Sequence, residues 1–294
     1  MRTLYYLFRS FRAVQWIKNG FILIPLLFAR KVFYFDSLLL SFQTVCVFCL
    51  LCSAIYLIND VFDMEADRRH PTKKNRPLAS GLVARNLVAV TATIFVATSL
   101  IWSYFLSGGL LIIVLIYLFI QFLYNYRLKE TPILDVFCVS SGFFLRVAAG
   151  AEIIHVQMSH WLIICSVLIS IFLTIGKRRQ ELVALGEAEA GNHRRVLSEY
   201  SPQLLDQMIA VITGGVLLSY MLYCVAPETI EKFRTDKMVY TFPLVLYGIF
   251  RYLYLIHQKN GGGAPEKLLL SDAPLLVCVI FWASLCVSII YGVV

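Results

Sequence analysis

Charge is scarce in this chain. Only 15% of its 294 residues are Asp, Glu, Lys or Arg, 59% are hydrophobic, and the mean hydropathy is +0.75. That balance excludes an ordinary soluble globular protein. Histidine is scarcer still, at five residues against eight cysteines, and none lies near Cys46, Cys49 or Cys52. Cys46, Cys49 and Cys52 overlap as two C-x-x-C pairs. They sit inside an apolar run and read as small hydrophobes rather than metal ligands or disulfide partners. Gly261-Gly262-Gly263 lacks the G-x-x-x-x-G-K-[ST] context of a nucleotide-binding loop and reads as a linker. There is no clear internal repeat. No small-residue cleavage site follows the charged N-terminal segment, so no cleavable signal peptide is expected.

What the chain does have is long apolar runs. Nine are candidates to cross a bilayer, at about 14–35, 38–59, 86–106, 109–126, 132–151, 160–176, 205–226, 239–257 and 273–293, each near the roughly 20 residues a spanning helix needs. The expected fold is all-α: one membrane-embedded domain over residues 1–294 with nine transmembrane helices. The formal charge of +8 could suggest nucleic acid, but its distribution argues against that partner. With the N-terminus in the cytoplasm, most of the 26 Lys and Arg fall on the cytoplasmic side, including Arg2, Arg9, Arg12, Lys18 and the cluster from Arg68 to Arg85. By the positive-inside rule the topology is N-in and C-out, and the bilayer is the partner that the charge serves.

The second run ends in Asn59-Asp60-Val61-Phe62-Asp63-Met64-Glu65-Ala66-Asp67. If the helix continues through this point, Asp60, Asp63 and Asp67 share a face, with Asn59 one turn before Asp63. Carboxylates stacked this way repel one another unless a cation lies between them, and Mg²⁺ is the usual partner when a substrate's phosphates complete the oxygen shell. The alternative is a solvated helix end with Arg68 and Arg69 as ion-pair partners. Against it stands the segment that follows, His70-Pro71-Thr72-Lys73-Lys74-Asn75-Arg76-Pro77-Leu78-Ala79-Ser80-Gly81. It is a basic, turn-rich loop suited to folding over a metal-held anion, with Lys73 and Arg76 as its phosphate contacts.

Other charged groups gather at helix ends. Arg9 and Arg12 read as membrane anchors of an interfacial N-terminal segment, whereas Gln15, Lys18 and Asn19 at the mouth of the first run are placed to reach a phosphate. The fourth run ends in Tyr124-Asn125-Tyr126-Arg127-Leu128-Lys129, and the sixth in Gly176-Lys177-Arg178-Arg179-Gln180-Glu181. Tyr126, Lys129, Lys177 and Arg178 are further substrate-binding candidates. For Arg194 and Arg195, a solvated face is the better reading. In the fifth run Asp135, Gly142 and Arg146 fall on one stripe, but Asp135 and Arg146 lie ~16 Å apart at 1.5 Å per residue and cannot pair directly. Each needs another partner, and a charged stripe in a membrane helix is expected to line a polar site. Asp135 is accordingly a candidate metal ligand and Arg146 a candidate phosphate contact, although snorkelling or pairing with Glu152 would also satisfy Arg146.

These residues carry a resemblance. Asn59-Asp60-x-x-Asp63-x-x-x-Asp67 with Asn75-Arg76-Pro77-Leu78-Ala79-Ser80-Gly81 is similar to the first motif of the UbiA superfamily of intramembrane prenyltransferases. The likeness extends over essentially the whole chain. Gln15-Trp16-x-Lys18-Asn19, His70-Pro71-Thr72-Lys73, Ser140-Ser141-x-x-x-x-Arg146-x-x-Ala149-Gly150, Gly176-Lys177-Arg178-x-x-Glu181 and Arg251-Tyr252 look closest to its decaprenyl-phosphate phosphoribosyltransferase branch. The resemblance implies a nine-helix bundle in the cytoplasmic membrane with its active site facing the cytoplasm. It implies Mg²⁺ held by Asp60, Asp63, Asp67 and Asp135, and transfer of 5-phosphoribosyl from phosphoribosyl diphosphate to a polyprenyl phosphate. Asp60 and Asp63 would be the catalytic pair, stabilising the departing diphosphate, and a homo-oligomer is compatible with this reading. Where ordinary members carry a second D-x-x-x-D motif, this chain has Asp135 followed by Val139. That departure weakens the main rival, an aromatic prenyltransferase using a prenyl diphosphate. A cation transporter is a more distant rival, because the non-cytoplasmic halves of the spans are nearly devoid of polar residues.

Overall fold

The computed structural model describes residues 2–69, 73–185, 195–259 and 265–292. His70, Pro71 and Thr72 of the basic loop, the Gly261–Gly263 linker and Arg194 lie outside the described residues. Helices account for all the regular structure among the described residues, with no strand. Eight helices of the described residues are long and apolar enough to cross a membrane: α3 (Phe35–Phe62), α5 (Arg85–Leu106), α6 (Gly108–Tyr126), α7 (Leu134–Ile153), α8 (His160–Leu185), α9 (Pro202–Val225), α11 (Phe242–Gln258, extended at its start by the 3₁₀ turn from Lys237) and α13 (Ala273–Ile290). Shorter helices are α1 (Arg2–Ser10), α2 (Ile24–Phe28), α4 (Met64–Arg69), α10 (Pro227–Phe233) and α12 (Pro265–Ser271). The first expected span instead takes a distinct form, a 3₁₀ stretch Ala13–Leu23 running into the single turn α2.

Two compact units make up the chain, and the division falls within α7. Unit 1 comprises residues 1–26, 31–125 and 146–156. Here α3 and α5 form the main packed pair, tied by Ser99 Oγ donating to the Val47 carbonyl at 3.3 Å. The 3₁₀ stretch lies against α3, with Trp16 Nε1 donating to Ser53 Oγ at 3.1 Å. Gly150, at the end of α7, is there for space: a Cβ at that position would come within 2.0 Å of the Ile22 carbonyl oxygen. A second cluster joins Leu7 of α1, Leu57 of α3 and Leu78, Val83, Val88 and Ala92, with Tyr6 and Phe11 packed against it. It therefore links α1, the end of α3 and the loop that follows the acidic stretch.

Unit 2 comprises residues 27–30, 126–145 and 157–294. Its core includes Val136, Phe172, Ile175, Leu182, Leu197 and Leu205, and α8 and α9 are its main packed pair. Local chemistry sets several boundaries. Ser201 caps α9 by accepting from the Leu204 N–H at 3.1 Å, with Pro202 at the first helical turn, and Asp272 caps α13 by accepting from Leu275 N–H at 2.9 Å. At the other end of α13, Arg30 donates to the Ile290 carbonyl (Nε at 2.6 Å) and reaches the Phe233 carbonyl at 3.3 Å. A cation thus meets the unsatisfied carbonyls at the ends of α13 and α10.

Candidate active site

The acidic stretch does not continue as an unbroken helix. α3 stops at Phe62, and Asp63 caps it at φ −88°, ψ 4° before α4 begins. Asp63 N–H still bonds Asn59 O at 2.9 Å and Asp67 N–H bonds Asp63 O at 2.8 Å, so the interruption is a kink. Asp60 and Asp67 are both 3% exposed, whereas Asp63 is exposed. This corrects the expectation of three ligands on one stripe. At 3.6 residues per turn Asp67 lies ~20° from Asp60 and Asp63 ~60° away, and the kink leaves the outlying carboxylate in the open.

Two arginines supply the cations for the buried pair. Arg76 Nη1 sits 2.5 Å from Asp67 Oδ2 and 3.2 Å from Asp60 Oδ1. Arg12 Nη2 reaches the same Asp60 Oδ1 at 2.5 Å, with its guanidinium 4.7 Å from the centre of the Tyr56 ring. Arg76 is held by a compact turn in which Ser80 N–H bonds Arg76 O at 2.9 Å, Leu82 N–H bonds Pro77 O at 2.9 Å and Gly81 takes φ +77°, a conformation suited to glycine. Arg76, expected at an anion held by the metal, thus lies on the carboxylates themselves. Lys73, Lys18 and Asn59 are half-buried in the same unit. Arg68, offered as a possible partner for the acids, instead meets Glu65 at 3.0 Å.

Among the described residues, no three Asp, Glu, His or Cys side chains gather closely enough to hold a metal by themselves. Asp60 and Asp67 nevertheless fit Mg²⁺. One cationic nitrogen already bridges oxygens of both carboxylates, so they face a common point, and Mg²⁺ needs only one or two carboxylates when phosphates and waters fill its remaining positions.

Deeper in unit 1, Arg146 is 6% exposed. Its Nε donates to Asn19 Oδ1 at 2.8 Å and its Nη2 to Tyr117 OH and Cys52 Sγ, each at 3.0 Å. The guanidinium also lies 5.1 Å from the Tyr117 ring centre and 5.7 Å from that of Phe48. Asn19 is fully buried and donates to Cys49 Sγ at 3.2 Å. Asn19 and Arg146, expected at a phosphate, are therefore engaged with each other. Arg146 does not snorkel, and Glu152, its suggested acid, accepts from Ser107 Oγ at 3.0 Å.

In unit 2, Asp135 is fully buried and both its oxygens are used: Oδ2 accepts from Arg178 Nε at 2.6 Å and Oδ1 from Tyr200 OH at 2.8 Å. Arg178, 2% exposed, also meets Glu181 Oε2 at 2.9 Å. Asp135 and Arg178, expected at a metal and at a phosphate, are here engaged with each other. Burial pushes the Tyr200 hydroxyl up to about 12, and its bond to Asp135 adds to the shift. Lys177 lies 3.7 Å from Glu181, Lys129 is half-buried and Tyr126 is 77% exposed. Arg12, Tyr117, Cys52 and Tyr200 were missed by sequence reasoning. Only Arg12 left a signal, as a base in the segment just before Gln15-Trp16-x-Lys18-Asn19.

The sequence profile of the UbiA prenyltransferase family matches residues 21–285. Several curated relatives carry the name decaprenyl-phosphate phosphoribosyltransferase. The one from Mycolicibacterium smegmatis is 31% identical over 97% of this chain and 92% of that protein. The one from Corynebacterium glutamicum is 31% identical over 96% of this chain and 86% of that protein. Among solved structures, a UbiA homolog from Archaeoglobus fulgidus bound to GPP and Mg²⁺ superposes with a TM-score of 0.70 at 18% identity, covering 98% of this chain and 99% of that chain. At that identity the likeness is one of fold.

Proposed function

The chain belongs to the UbiA prenyltransferase family, and on that premise we propose that it transfers 5-phosphoribosyl from phosphoribosyl diphosphate to a polyprenyl phosphate such as decaprenyl phosphate. The bond from ribose C1 to the diphosphate oxygen breaks, a bond from C1 to a lipid phosphate oxygen forms, and diphosphate leaves. The acceptor is an anion at neutral pH, so no strong general base is required. The observation that carries the site is the buried pair Asp60 and Asp67 bridged by Arg76. Mg²⁺ bound there supplies charge neutralisation for the diphosphate leaving group. Asp60 and Asp67 would hold it, with Asp63, exposed at the kink, as a further candidate, and Arg76 and Lys73 would orient the donor's phosphates. Lys18, Lys129 and Lys177 are the remaining candidates for the 5-phosphate and the lipid phosphate.

A multi-pass membrane protein places this chemistry where its lipid substrate is dissolved. In our reading the chain acts as one transferase domain in the cytoplasmic membrane, with the basic loop and the N-terminus on the cytoplasmic side and the C-terminus outside. The parity depends on residues 13–28. Eleven 3₁₀ residues at 2.0 Å and five α residues at 1.5 Å reach ~30 Å, the thickness of the hydrocarbon core, so sixteen residues suffice for a ninth crossing.

The test is one pair of incubations of the purified protein with Mg²⁺. One receives labelled phosphoribosyl diphosphate and polyprenyl phosphate, the other a prenyl diphosphate and an aromatic acid. Label entering the lipid phosphate is the expected result, and product in the second incubation alone would overturn the assignment.

A further inference from the structure

The two buried Asp–Arg networks differ in one respect that bears on how the site loads. Around Asp135 the pair is sealed, with side chains 2% and 0% exposed. Around Asp60 and Asp67 the carboxylates are equally buried, at 3% and 4%, but the arginines are not: Arg12 is 31% exposed and Arg76 26%. Two ionised carboxylates at one buried point need a cation at all times, because each disfavours the other's charge and neither is well solvated. While no metal is bound, Arg12 and Arg76 supply that charge. A divalent ion arriving there competes with them for the same oxygens.

We propose that Arg12 is an exchangeable counter-cation. It neutralises Asp60 while the site is empty of metal, and passes to the donor's diphosphate when the metal takes the carboxylate. This rests on the proposed function above and adds a donor-binding residue that the motifs do not include. Three features suit Arg12 to the task. Its backbone is left-handed, at φ 55° and ψ 51°, at the joint between α1 and the 3₁₀ stretch, which turns its side chain back onto Asp60. Its half-buried guanidinium rests on the Tyr56 ring, a contact that a cation can leave without stranding a hydrogen-bond acceptor. The joint is braced by Leu7, Tyr6 and Phe11 against Leu57 and Leu78, so its position relative to Asp60 and the Arg76 loop is kept while the side chain moves. The exchange conserves charge: the carboxylates gain the metal, and the displaced guanidinium meets the anion that the metal brings, in a charge-assisted and often bidentate contact.

The test uses the full-length protein in lipid nanodiscs, Mn²⁺ as a paramagnetic probe and inorganic diphosphate as the anion, with free Mn²⁺ followed by electron paramagnetic resonance. Arg12→Gln removes the competitor, so Mn²⁺ alone should bind about tenfold more tightly than to the wild type, the scale of one charged hydrogen bond. The further tightening that diphosphate produces in the wild type should shrink about tenfold, and Arg12→Lys should fall between the two. Arg12→Lys also serves as the readout if Arg12→Gln does not fold. Asp60→Asn is the reference and should lose most Mn²⁺ binding. Binding that responds to Asp60→Asn while neither Arg12 variant changes Mn²⁺ or diphosphate affinity would end the exchange and leave the metal site standing. Weaker Mn²⁺ binding in Arg12→Gln would likewise refute it, since Arg12 would then support the metal rather than yield to it. No Mn²⁺ binding by the wild type, with or without diphosphate, would remove both this inference and the metal reading beneath it.

Discussion

Asp60 is the side chain on which most of the site converges, and its neighbours set what each substitution should do. Asp60→Asn and Asp67→Asn keep shape and burial but remove half the charge that Arg12, Arg76 or a metal needs. Activity should fall at least about a hundredfold with the fold retained, as judged by monodisperse elution and thermal unfolding. Near-normal turnover of either variant at saturating Mg²⁺ would contradict the metal assignment. Arg146 calls for the opposite pattern. Its hydrogen bonds include those to Asn19, Tyr117 and Cys52, so Arg146→Met leaves the buried Asn19 oxygen to the long Cys52 thiol contact at 3.8 Å and should cost roughly 1–3 kcal/mol of stability. Turnover per folded molecule should change little. A variant of normal stability with an abolished response to donor would return Arg146 to the phosphate.

Tyr200 offers a pH test. Its ionisation is raised to about 12, first by burial, and a raised value in the folded state means the contribution is whole below the ordinary tyrosine range near 10 and lost as pH rises through about 12. The wild type should therefore lose thermal stability between about pH 10 and 12 more steeply than Tyr200→Phe, with melting profiles across that window as the measurement. Parallel curves would mean that the bond from Tyr200 to Asp135 contributes nothing.

Among the elements, the close approach of α7 to the 3₁₀ stretch depends on one missing side chain. Gly150→Ala would place Cβ 2.0 Å from the Ile22 carbonyl oxygen. Backbone cannot yield as a flexible side chain can, so the substitution should destabilise by about 1–3 kcal/mol or more. Because the same stretch carries Lys18, a candidate phosphate contact, activity should fall along with stability. A Gly150→Ala protein that melts like the wild type would show that the two segments part more easily than their packing implies. The kink at Asp63 works at this scale too: the helix bonds on both sides are kept while one carboxylate is turned outward.

For the whole molecule the open quantity is the number of crossings. Among the described residues eight helices qualify by length and composition, and residues 13–28 are the candidate for a ninth crossing. Reporter fusions at the two termini should lie on opposite sides of the membrane, with the N-terminal one cytoplasmic. Both reporters on the same side would make residues 13–28 an interfacial or re-entrant segment and the count even.

Hydropathy and charge spacing alone determined the helical class, seven of the nine expected spans to within a few residues, and the likeness to the family, because those signals are written in one dimension: apolar runs, and N-D-x-x-D followed by a basic loop. The same reading marked Asp135 and Arg146 as charges that must find partners other than each other. Which partners they found was a matter of tertiary structure. Arg178 and Tyr200 meet Asp135 from positions 43 and 65 residues away, and Asn19 meets Arg146 from 127 residues away. Tertiary structure also divided the acids, burying Asp60 and Asp67 with Arg12 and Arg76 and leaving Asp63 outside. Periodicity could place the three on nearly the same stripe. A local kink and the guanidinium groups brought from two other segments decided which of them share a cation, since a buried carboxylate is stable only beside the charge that packing delivers to it.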